Sequence, residues 1–178
     1  MSPSQIVAQK KMTAEEVAGL IQHQEVISTS GFTPAGYPKA IPKALAARAT
    51  ALHEKGEDFK ISLYTGASVG DELDGELARA KAVQFRMPYQ SQKDMRAGIN
   101  SGEIEFVDFH LSHVAQYLRY GFIPKTETAI VEACEVTNDG KIYLTTSGGM
   151  SASFLNEADR IFVELNTSAP RGLMGFHD

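Results

Sequence analysis

Ser68 lies in a G-x-S-x-G pattern, residues 66–70, directly after a strand-like apolar segment. A serine in a glycine-lined turn between a strand and a helix is typical of the nucleophile of an α/β-hydrolase. Such a serine needs an acid and a histidine base later in the chain. Asp108 and His110 are too close together on one predicted strand end to be aimed at one another, and no spacing supports a pairing with His177. The pattern therefore indicates a turn more strongly than a catalytic serine.

Three glycine-rich loops each follow a predicted strand. We name them the first glycine loop (GFTPAG, residues 31–36), the second glycine loop (TGASVG, residues 65–70) and the third glycine loop (TSGGMS, residues 146–151). Ligands of an open parallel sheet bind beyond the carboxyl ends of its strands. Glycine loops there let the backbone approach a substrate closely and offer amide donors to an oxyanion or phosphate. One such loop could be a simple turn into a helix, but three together predict a binding edge.

Nucleotide cofactors are not favoured by these loops. No G-x-G-x-x-G follows the first strand, and no Gly-Lys-Ser/Thr follows any loop, so neither NAD nor ATP is predicted. Lys39 and Lys43 lie one turn apart near the start of the second predicted helix, where they could attract a carboxylate or phosphate. Lysines on a helix surface are more often only solvated, so both interpretations stay open.

His110 and His113 have a spacing that could serve a metal ion. No third ligand lies at a convincing spacing and Asp108 alone is insufficient, so we predict that no metal is bound. Ser112 is predicted to be the N-cap of the helix that follows, while His110 points to the upper sheet edge or the cleft. The other histidines are predicted at the surface: His23, His53 and His177.

Composition is typical of one soluble globular domain. The 178 residues are 43% hydrophobic and 22% charged, with a net charge of −5 and scattered basic residues, so a nucleic-acid surface is not expected. No apolar run approaches the roughly 20 residues of a membrane helix, and the N-terminus does not resemble a signal peptide, which predicts a cytoplasmic protein. The single cysteine, Cys134, lies in an apolar run and is predicted to be a core thiol.

Strand and helix patterns alternate along the chain. Thr13 and Glu16 form a capping box at the start of a helix that is predicted to reach about Gln24. An Asn138–Gly140 turn predicts a hairpin. The predicted strands are EVISTSG, FKISLYTG, AVQFRM, EIEFVDF, TAIVEACEV, KIYLTT and RIFVELN. This alternation predicts an α/β fold with an open, mostly parallel Rossmann-like sheet and helices on both faces.

The end of the chain lacks an element that its last predicted strand needs. After RIFVELN comes a proline and glycine loop, TSAPRGLMGFHD, with no helix to cover that strand. The chain therefore looks cut. Residues 1–178 contain no internal repeat or linker, so a single domain is predicted within them.

Several strings together resemble one protein family. They are SGFTPAGYPKAIPKALA, ISLYTGASVGDELDGELARA, FVDFHLSHVAQ, SFLNEADRIFVELN and the terminal MGFHD. The resemblance, from about residue 12 to residue 178, is to the N-terminal domain of the acetyl-CoA hydrolase/transferase family. These class I CoA-transferases include succinyl-CoA:acetate CoA-transferases. The resemblance implies that residues 1–178 are a truncated N-terminal CoA-transferase domain, without the C-terminal catalytic domain.

The resemblance also implies a mechanism, with coenzyme A as a substrate and no metal. In that family, two similar domains enclose the active site, and a glutamate of the C-terminal domain attacks the acyl-CoA thioester to give an acyl-glutamyl anhydride and free CoA thiolate. The thiolate then forms a glutamyl-CoA thioester, which an acceptor carboxylate attacks. No residue of this chain matches the motif of that glutamate, so no catalytic residue is expected within it. Four glutamates are accordingly left unassigned: Glu16, Glu72, Glu76 and Glu132.

The resemblance places substrate-binding residues in the glycine loops. The first loop would line the acyl or carboxylate pocket, where a backbone amide could polarise the thioester carbonyl. The second loop, with Ser68, would be a non-nucleophilic turn at the cleft edge, and the third is a weaker candidate. The implied residues are Gly31, Phe32, Thr33, Gly36, Gly66, Ser147, Gly148 and Gly149.

The resemblance also implies that this chain depends on a second domain. The chain alone should be inactive and should pack against the C-terminal domain of the same enzyme, with an exposed apolar face that favours a homo-oligomer. The alternative is a stand-alone module that binds CoA or a carboxylate without catalysis. The acyl group, the acceptor, and the choice between hydrolase and transferase are left open by the sequence.

Overall fold

The strands and helices alternate through most of the chain. The computed structural model describes residues 9–174. The strands are β1 (Val26–Ser28), β2 (Phe32–Thr33), β3 (Ile61–Tyr64), β4 (Ala67–Ser68), β5 (Val83–Met87), β6 (Glu105–Phe106), β7 (Thr128–Val136), β8 (Ile142–Leu144) and β9 (Arg160–Leu165). The helices are α1 (Ala14–Leu20), α2 (Ala40–His53), α3 (Glu76–Arg79), α4 (Lys93–Ser101), α5 (Leu111–Arg119) and α6 (Ser151–Glu157), with a π-helical turn at Asp71–Gly75 and a 3-10 turn at Arg171–Leu173.

Seven strands form one mostly parallel sheet. The order β6-β5-β3-β1-β7 is parallel throughout, and β9 extends it in parallel beside β7. Ala133 of β7 pairs with Leu144 of β8 and with Leu165 of β9, so these two strands flank β7 on opposite sides. β8 is antiparallel to β7 and lies on the same side of β7 as β1. The predicted α/β fold with a mostly parallel sheet is confirmed.

Helices cover both faces of this sheet. On one face, Ile27, Leu63 and Ile130 of the central strands pack in a core with helices α1 to α4. On the other face, Tyr64 and Ala129 pack in a second core with α5 and α6. Neighbouring residues such as Ala129 and Ile130 enter opposite cores because successive side chains of a strand point to opposite faces. A central parallel strand therefore has to be apolar on both sides.

Local sequence signals account for the ends of two elements. Glu16 N donates to Thr13 Oγ1 at 3.1 Å and Thr13 N donates to Glu16 Oε2 at 2.7 Å, which confirms the capping box. Helix α1 ends at Leu20, earlier than predicted, because the chain turns through Gln24 at φ +67° to reach β1. In the hairpin between β7 and β8, Gly140 has a φ of +87°, as a tight turn requires.

Cys134 is buried, with 6% of its surface exposed, which confirms the predicted core thiol. Its Sγ donates to Leu144 O across the hairpin at 3.5 Å. His23 is exposed as predicted. His53 is half-buried rather than at the surface, and its Nε2 lies 2.9 Å from Phe59 O. His177 lies outside the described residues.

The predicted N-cap role of Ser112 is wrong. Helix α5 begins at Leu111 with His110 in the N-cap position, and Ser112 lies inside the first turn. The Ser112 hydroxyl is instead 2.9 Å from His110 Nδ1, so the imidazole satisfies it rather than a backbone amide. The preceding strand was predicted over residues 103–109, but β6 covers only Glu105–Phe106. The amides of residues 103 and 104 donate to Gly98 O at the end of α4 instead of to β5.

The described residues offer no candidate for a membrane span or for a metal site. Among residues 9–174, none of the helices combines the length and apolar character that crossing a bilayer requires. Within the same range, no three His, Cys, Asp or Glu side chains gather in a way that could hold a metal ion. A cytoplasmic location and self-association stay predictions.

The two-sided core predicts a contrast between two phenylalanines. Phe154 of α6 is fully buried, whereas Phe122 is 72% exposed. Phe154→Ala should lower the free energy of unfolding by about 3–5 kcal/mol, because a cavity is left in the core of the α5–α6 face. Urea unfolding followed by circular dichroism measures the loss. Phe122→Ala is the matched control and should change stability by less than about 0.5 kcal/mol; equal effects would contradict the assignment of the core.

Candidate functional site

The first and second glycine loops are joined along their backbones. They leave the carboxyl ends of β1 and β3, which are neighbours in the sheet. Their strands β2 and β4 form a separate two-stranded parallel sheet in which Phe32 pairs with Ala67 and Thr33 with Ser68. Val69 N also donates to Thr33 O at 3.2 Å. The two loops therefore form one continuous backbone surface above the main sheet.

The third glycine loop contacts the first loop. It follows β8, which is antiparallel, so it returns toward the end of β1 instead of rising from the sheet. Ser147 Oγ donates to Ala35 O at 3.1 Å, and Met150 N donates to Ser30 Oγ at 2.8 Å. The structure thus brings all three loops together at one edge.

Missing side chains allow this close approach. A Cβ on Gly36 would lie 2.6 Å from Ser147 Oγ, and one on Gly149 would lie 2.5 Å from Ser30 Oγ. A Cβ on Gly66 would lie 2.8 Å from the same Ser30 Oγ. Real Cβ atoms do not approach other atoms this closely, and Gly36 and Gly149 also have positive φ angles of +73° and +52°.

The predicted substrate-binding residues divide into buried and exposed ones. Gly31, Gly36 and Gly66 are buried and act through packing of the loops, while Ser147 and Gly148 are half-buried and Gly149 is exposed. Two of the predicted residues in the first loop face outward: Phe32 is 60% exposed, and Thr33 is exposed with a φ of +47°. Left-handed backbone at a residue other than glycine is strained, and such strain is concentrated at functional sites. The substrate-binding role of all eight stays a prediction.

Tyr37 holds the first loop against the turn that follows the second loop. It is 1% exposed, and its hydroxyl donates to Glu72 Oε2 at 2.5 Å. Gly70 lies against its ring, where a Cβ would be 1.9 Å from the hydroxyl oxygen. Burial, and then the Glu72 carboxylate, raise the pKa of Tyr37 well above its usual range. The hydrogen bond from Tyr37 lowers the pKa of Glu72.

Lys39 is paired within the chain. Its ammonium lies 2.8 Å from Glu132 Oε2, and the other oxygen of Glu132, which is only 4% exposed, accepts a 2.6 Å hydrogen bond from Thr145. The charge of Lys39 is therefore balanced internally, which does not favour the open interpretation that it attracts a ligand anion. Lys43 is exposed.

Glu164 of β9 closes the amino end of α2. Its carboxylate accepts hydrogen bonds of 2.7–3.0 Å from the backbone amides of residues 39–41. A carboxylate in this position satisfies the unpaired amides of the first turn and complements the helix dipole. Glu132 and Glu164 lie opposite each other on β7 and β9, a register that the sequence alone does not reveal.

Ser68 does not have the surroundings of a nucleophile. It is 0% exposed, and its Oγ has no hydrogen-bond partner among residues 9–174. An activated serine needs a hydrogen bond to a base. The described structure therefore gives no support to the hydrolase interpretation.

A buried ion pair that was not predicted from the sequence lies below the second loop. Arg86 of β5 and Asp74 of the π-helical turn are both 0% exposed, and Arg86 Nε lies 2.9 Å from Asp74 Oδ1. The available signal was a single charged residue, Arg86, in the predicted strand AVQFRM, which is otherwise apolar except for Gln84. His110 and His113, which drew attention in the sequence, are exposed, with ring centroids 5.2 Å apart.

Comparison with known proteins identifies the family. Residues 5–178 match the family described as "Acetyl-CoA hydrolase/transferase N-terminal domain". The chain belongs to this family, as the sequence resemblance predicted.

Curated relatives are enzymes of longer chain length. A succinyl-CoA:acetate CoA-transferase of Clostridium kluyveri is 45% identical over 96% of this chain and 31% of its own length. A propanoyl-CoA:succinate CoA transferase of Escherichia coli is 44% identical over 88% of this chain and 32% of its own length. The chain thus spans about a third of the length of these relatives.

Solved structures share the fold. RipA of Yersinia pestis superposes with a TM-score of 0.74 at 21% identity, over 96% of this chain and 40% of that one. A glutaconate coenzyme A-transferase of Acidaminococcus fermentans gives a TM-score of 0.60 at 12% identity, over 86% of this chain and 68% of its own.

Ser68→Ala should not reduce the stability of the protein. The substitution removes a buried hydroxyl that has no partner in the described structure, and leaving such a group unpaired costs about 1–3 kcal/mol. We expect an unchanged or raised urea midpoint. Ser147→Ala, which removes the donor to Ala35 O, is the control and should lower the midpoint. A lower midpoint for Ser68→Ala, with loss of any esterase activity, would restore the hydrolase interpretation.

Tyr37→Phe should destabilise the protein in a pH-dependent way. At neutral pH it removes a hydrogen bond to a charged but largely exposed carboxylate, worth about 1 kcal/mol. Because the folded-state pKa of Glu72 is lowered, this contribution is present above the unfolded-state pKa and is lost as pH falls through the folded-state pKa. Urea unfolding from about pH 7 to about pH 3 should show the two proteins converging.

The control for this comparison is Tyr64→Phe. Burial raises the pKa of Tyr64 to about 12, and no carboxylate of residues 9–174 contributes to the shift. Its effect on stability should stay constant over the same acid range. A constant difference for Tyr37→Phe as well would contradict the coupling to Glu72.

Proposed function

We propose that this chain is the N-terminal part of an acyl-CoA:carboxylate CoA-transferase or of an acetyl-CoA hydrolase. The observation that carries the proposal is the convergence of three glycine loops into one backbone-lined edge, in a chain that belongs to this family. The relatives with printed activities include both CoA-transferases and acetyl-CoA hydrolases, so the acceptor is either a small carboxylate or water.

In this proposal the glycine loops form the acyl side of a cleft. Phe32 and Thr33 are exposed and contact the acyl group or the carboxylate, while the closely packed glycines leave backbone atoms as the lining. Backbone amides in a fixed position can stabilise the oxyanion that forms when a thioester is attacked. Coenzyme A is the group transferred and therefore a substrate.

The attacking glutamate is proposed to come from polypeptide outside residues 1–178. Its carboxylate oxygen bonds to the thioester carbonyl carbon and the CoA thiolate leaves, giving an anhydride. The thiolate then attacks the glutamyl carbonyl and releases the acyl group as a carboxylate. Carboxylates close to the loops already have partners: Glu132 accepts from Lys39 and Thr145, and Glu72 from Tyr37. Because these carboxylates already accept hydrogen bonds from the chain itself, they support the proposal that the nucleophile is supplied from outside it.

The 178-residue chain should not catalyse CoA exchange on its own. We expect no transfer from acetyl-CoA to succinate above the rate without protein, because the nucleophile is absent. Activity should appear when the chain is mixed with a separately produced C-terminal portion of a family member. Turnover by the chain alone would place the nucleophile within it and contradict the proposal.

Calorimetry distinguishes the proposed function from the alternative of a stand-alone binding module. If the chain forms only one side of the cleft, it should bind acetyl-CoA or succinate weakly, with dissociation constants above about 1 mM. A module that evolved to hold its ligand should bind saturably and far more tightly. Tight binding without any complementation would favour the module.

A further inference from the structure

We propose that Arg86 and Asp74 form a positioning pair for the second glycine loop. Neither side chain is exposed, so neither touches a substrate; both act on the backbone that forms the wall of the pocket. For its consequence in catalysis this inference rests on the proposed function, whereas the effect on the loop itself does not.

The pair contacts the loop at two backbone atoms. Arg86 Nη2 donates to Ser68 O at 3.3 Å, while Nε binds Asp74 and Nη1 donates to Met87 O. Asp74 Oδ2 accepts from Gly70 N at 3.1 Å. Gln90 Nε2 donates to Asp74 Oδ1 at 2.7 Å. Both ends of residues 68–70 are thus fixed by one charged pair.

The π-helical turn directs Asp74 toward the loop. Gly70 O accepts from Asp74 N at 2.9 Å and from Gly75 N at 3.4 Å, which widens the first turn of this helical segment. The carboxylate can then reach back to the amide of Gly70. Turns of this kind are rare, and they occur frequently at functional sites.

Stability alone does not explain a pair of this kind. Removing two charges from water costs several kcal/mol for each ion, and apolar residues of similar volume are often as stable or more stable in their place. What the guanidinium adds is direction, because its donors lie in one rigid plane and fix the positions of their acceptors. Here those acceptors are Asp74 and two backbone carbonyls.

The effect reaches the first loop through the small sheet. Ser68, whose carbonyl Arg86 holds, pairs with Thr33, and Ala67 pairs with Phe32. Phe32 and Thr33 are the exposed residues that the proposed function places against the acyl group. Loosening residues 66–70 should therefore loosen the contact surface itself.

Arg86→Lys tests the proposal directly in the chain. Lysine keeps the charge but cannot hold Asp74 and both carbonyls in one plane. We expect amide hydrogen exchange of residues 66–70, and of residues 32–33, to accelerate at least about ten-fold beyond the change in global stability. Exchange that changes uniformly over the chain, or not at all, would overturn the proposal. If Arg86→Lys does not fold, Asp74→Asn is the second variant. With its oxygen kept for Gly70 N, its amide nitrogen is a donor that faces Arg86 Nε and Gln90 Nε2, so the same selective acceleration is expected.

Arg48→Lys is the matched control. The Arg48 guanidinium also donates to two backbone carbonyls, those of Ala18 and Ile21, but it lies at the end of α1 and stacks on Phe59 at 4.6 Å. Arg48→Lys should lower the free energy of unfolding without selectively accelerating amide hydrogen exchange in the glycine loops. Equal acceleration in both variants would show a merely structural role for Arg86.

A kinetic comparison extends the test to the chain mixed with the C-terminal portion of a family member, the combination in which the proposed function expects activity. Arg86→Lys should raise the KM for the carboxylate acceptor about ten-fold with little change in kcat, and Arg48→Lys should change neither. A fall of kcat in step with the folded fraction, at constant KM, would overturn the proposal. If the mixture with the unsubstituted chain exchanges no CoA, the proposed function fails, and the hydrogen-exchange measurement still decides whether Arg86 and Asp74 position the loop.

Discussion

The close contact of three backbone loops is the constraint on which the rest of this structure depends. At Gly36 and Gly149 a Cβ would lie within 2.8 Å of an atom of another loop, and at Gly66 it would lie 2.8 Å from Ser30 Oγ, just before the first loop. A side chain at these positions would force the loops apart, so the close contact of the loops depends on glycine at all three. Ser30 is shared by two of the contacts, which places the end of β1 at the centre of the site.

Polar side chains around this edge hold the loops in place. Tyr37 connects the first loop to Glu72, and Glu132 connects Lys39 at the start of α2 with Thr145, just before the third loop. Each carboxylate is satisfied by groups of the chain itself. This arrangement gives the edge a fixed shape.

Glu164 illustrates how the sheet and the site are coupled. It lies on the last strand of the sheet, and it accepts three backbone amides at the beginning of α2, which follows the first loop directly. The strand order therefore fixes where α2 starts, and α2 fixes where the first loop must end. A shift of β9 by one residue would turn Glu164 to the other face and leave those amides open.

The sequence by itself determined the elements and the family. Alternating apolar runs, the capping box at Thr13 and the glycine of the hairpin are local signals, because each depends on residues a few positions apart. They were sufficient for the α/β class and the three loops. Local signals failed at Ser112 and at the end of α1, where a nearby imidazole and an early turn satisfied the backbone and hydroxyl groups differently.

Only the tertiary structure decided which charged groups meet. Lys39 and Glu132, and Glu164 and the start of α2, are far apart along the chain, and strand order and register bring them together. Arg86 and Asp74 are 12 residues apart but belong to different elements, a strand and a π-helical turn. The same holds for Ser68, whose burial depends on the strand β4 that pairs with β2. Pairing between distant segments has no periodic signature in a single sequence, whereas glycine, capping and apolar patterns act through their nearest neighbours.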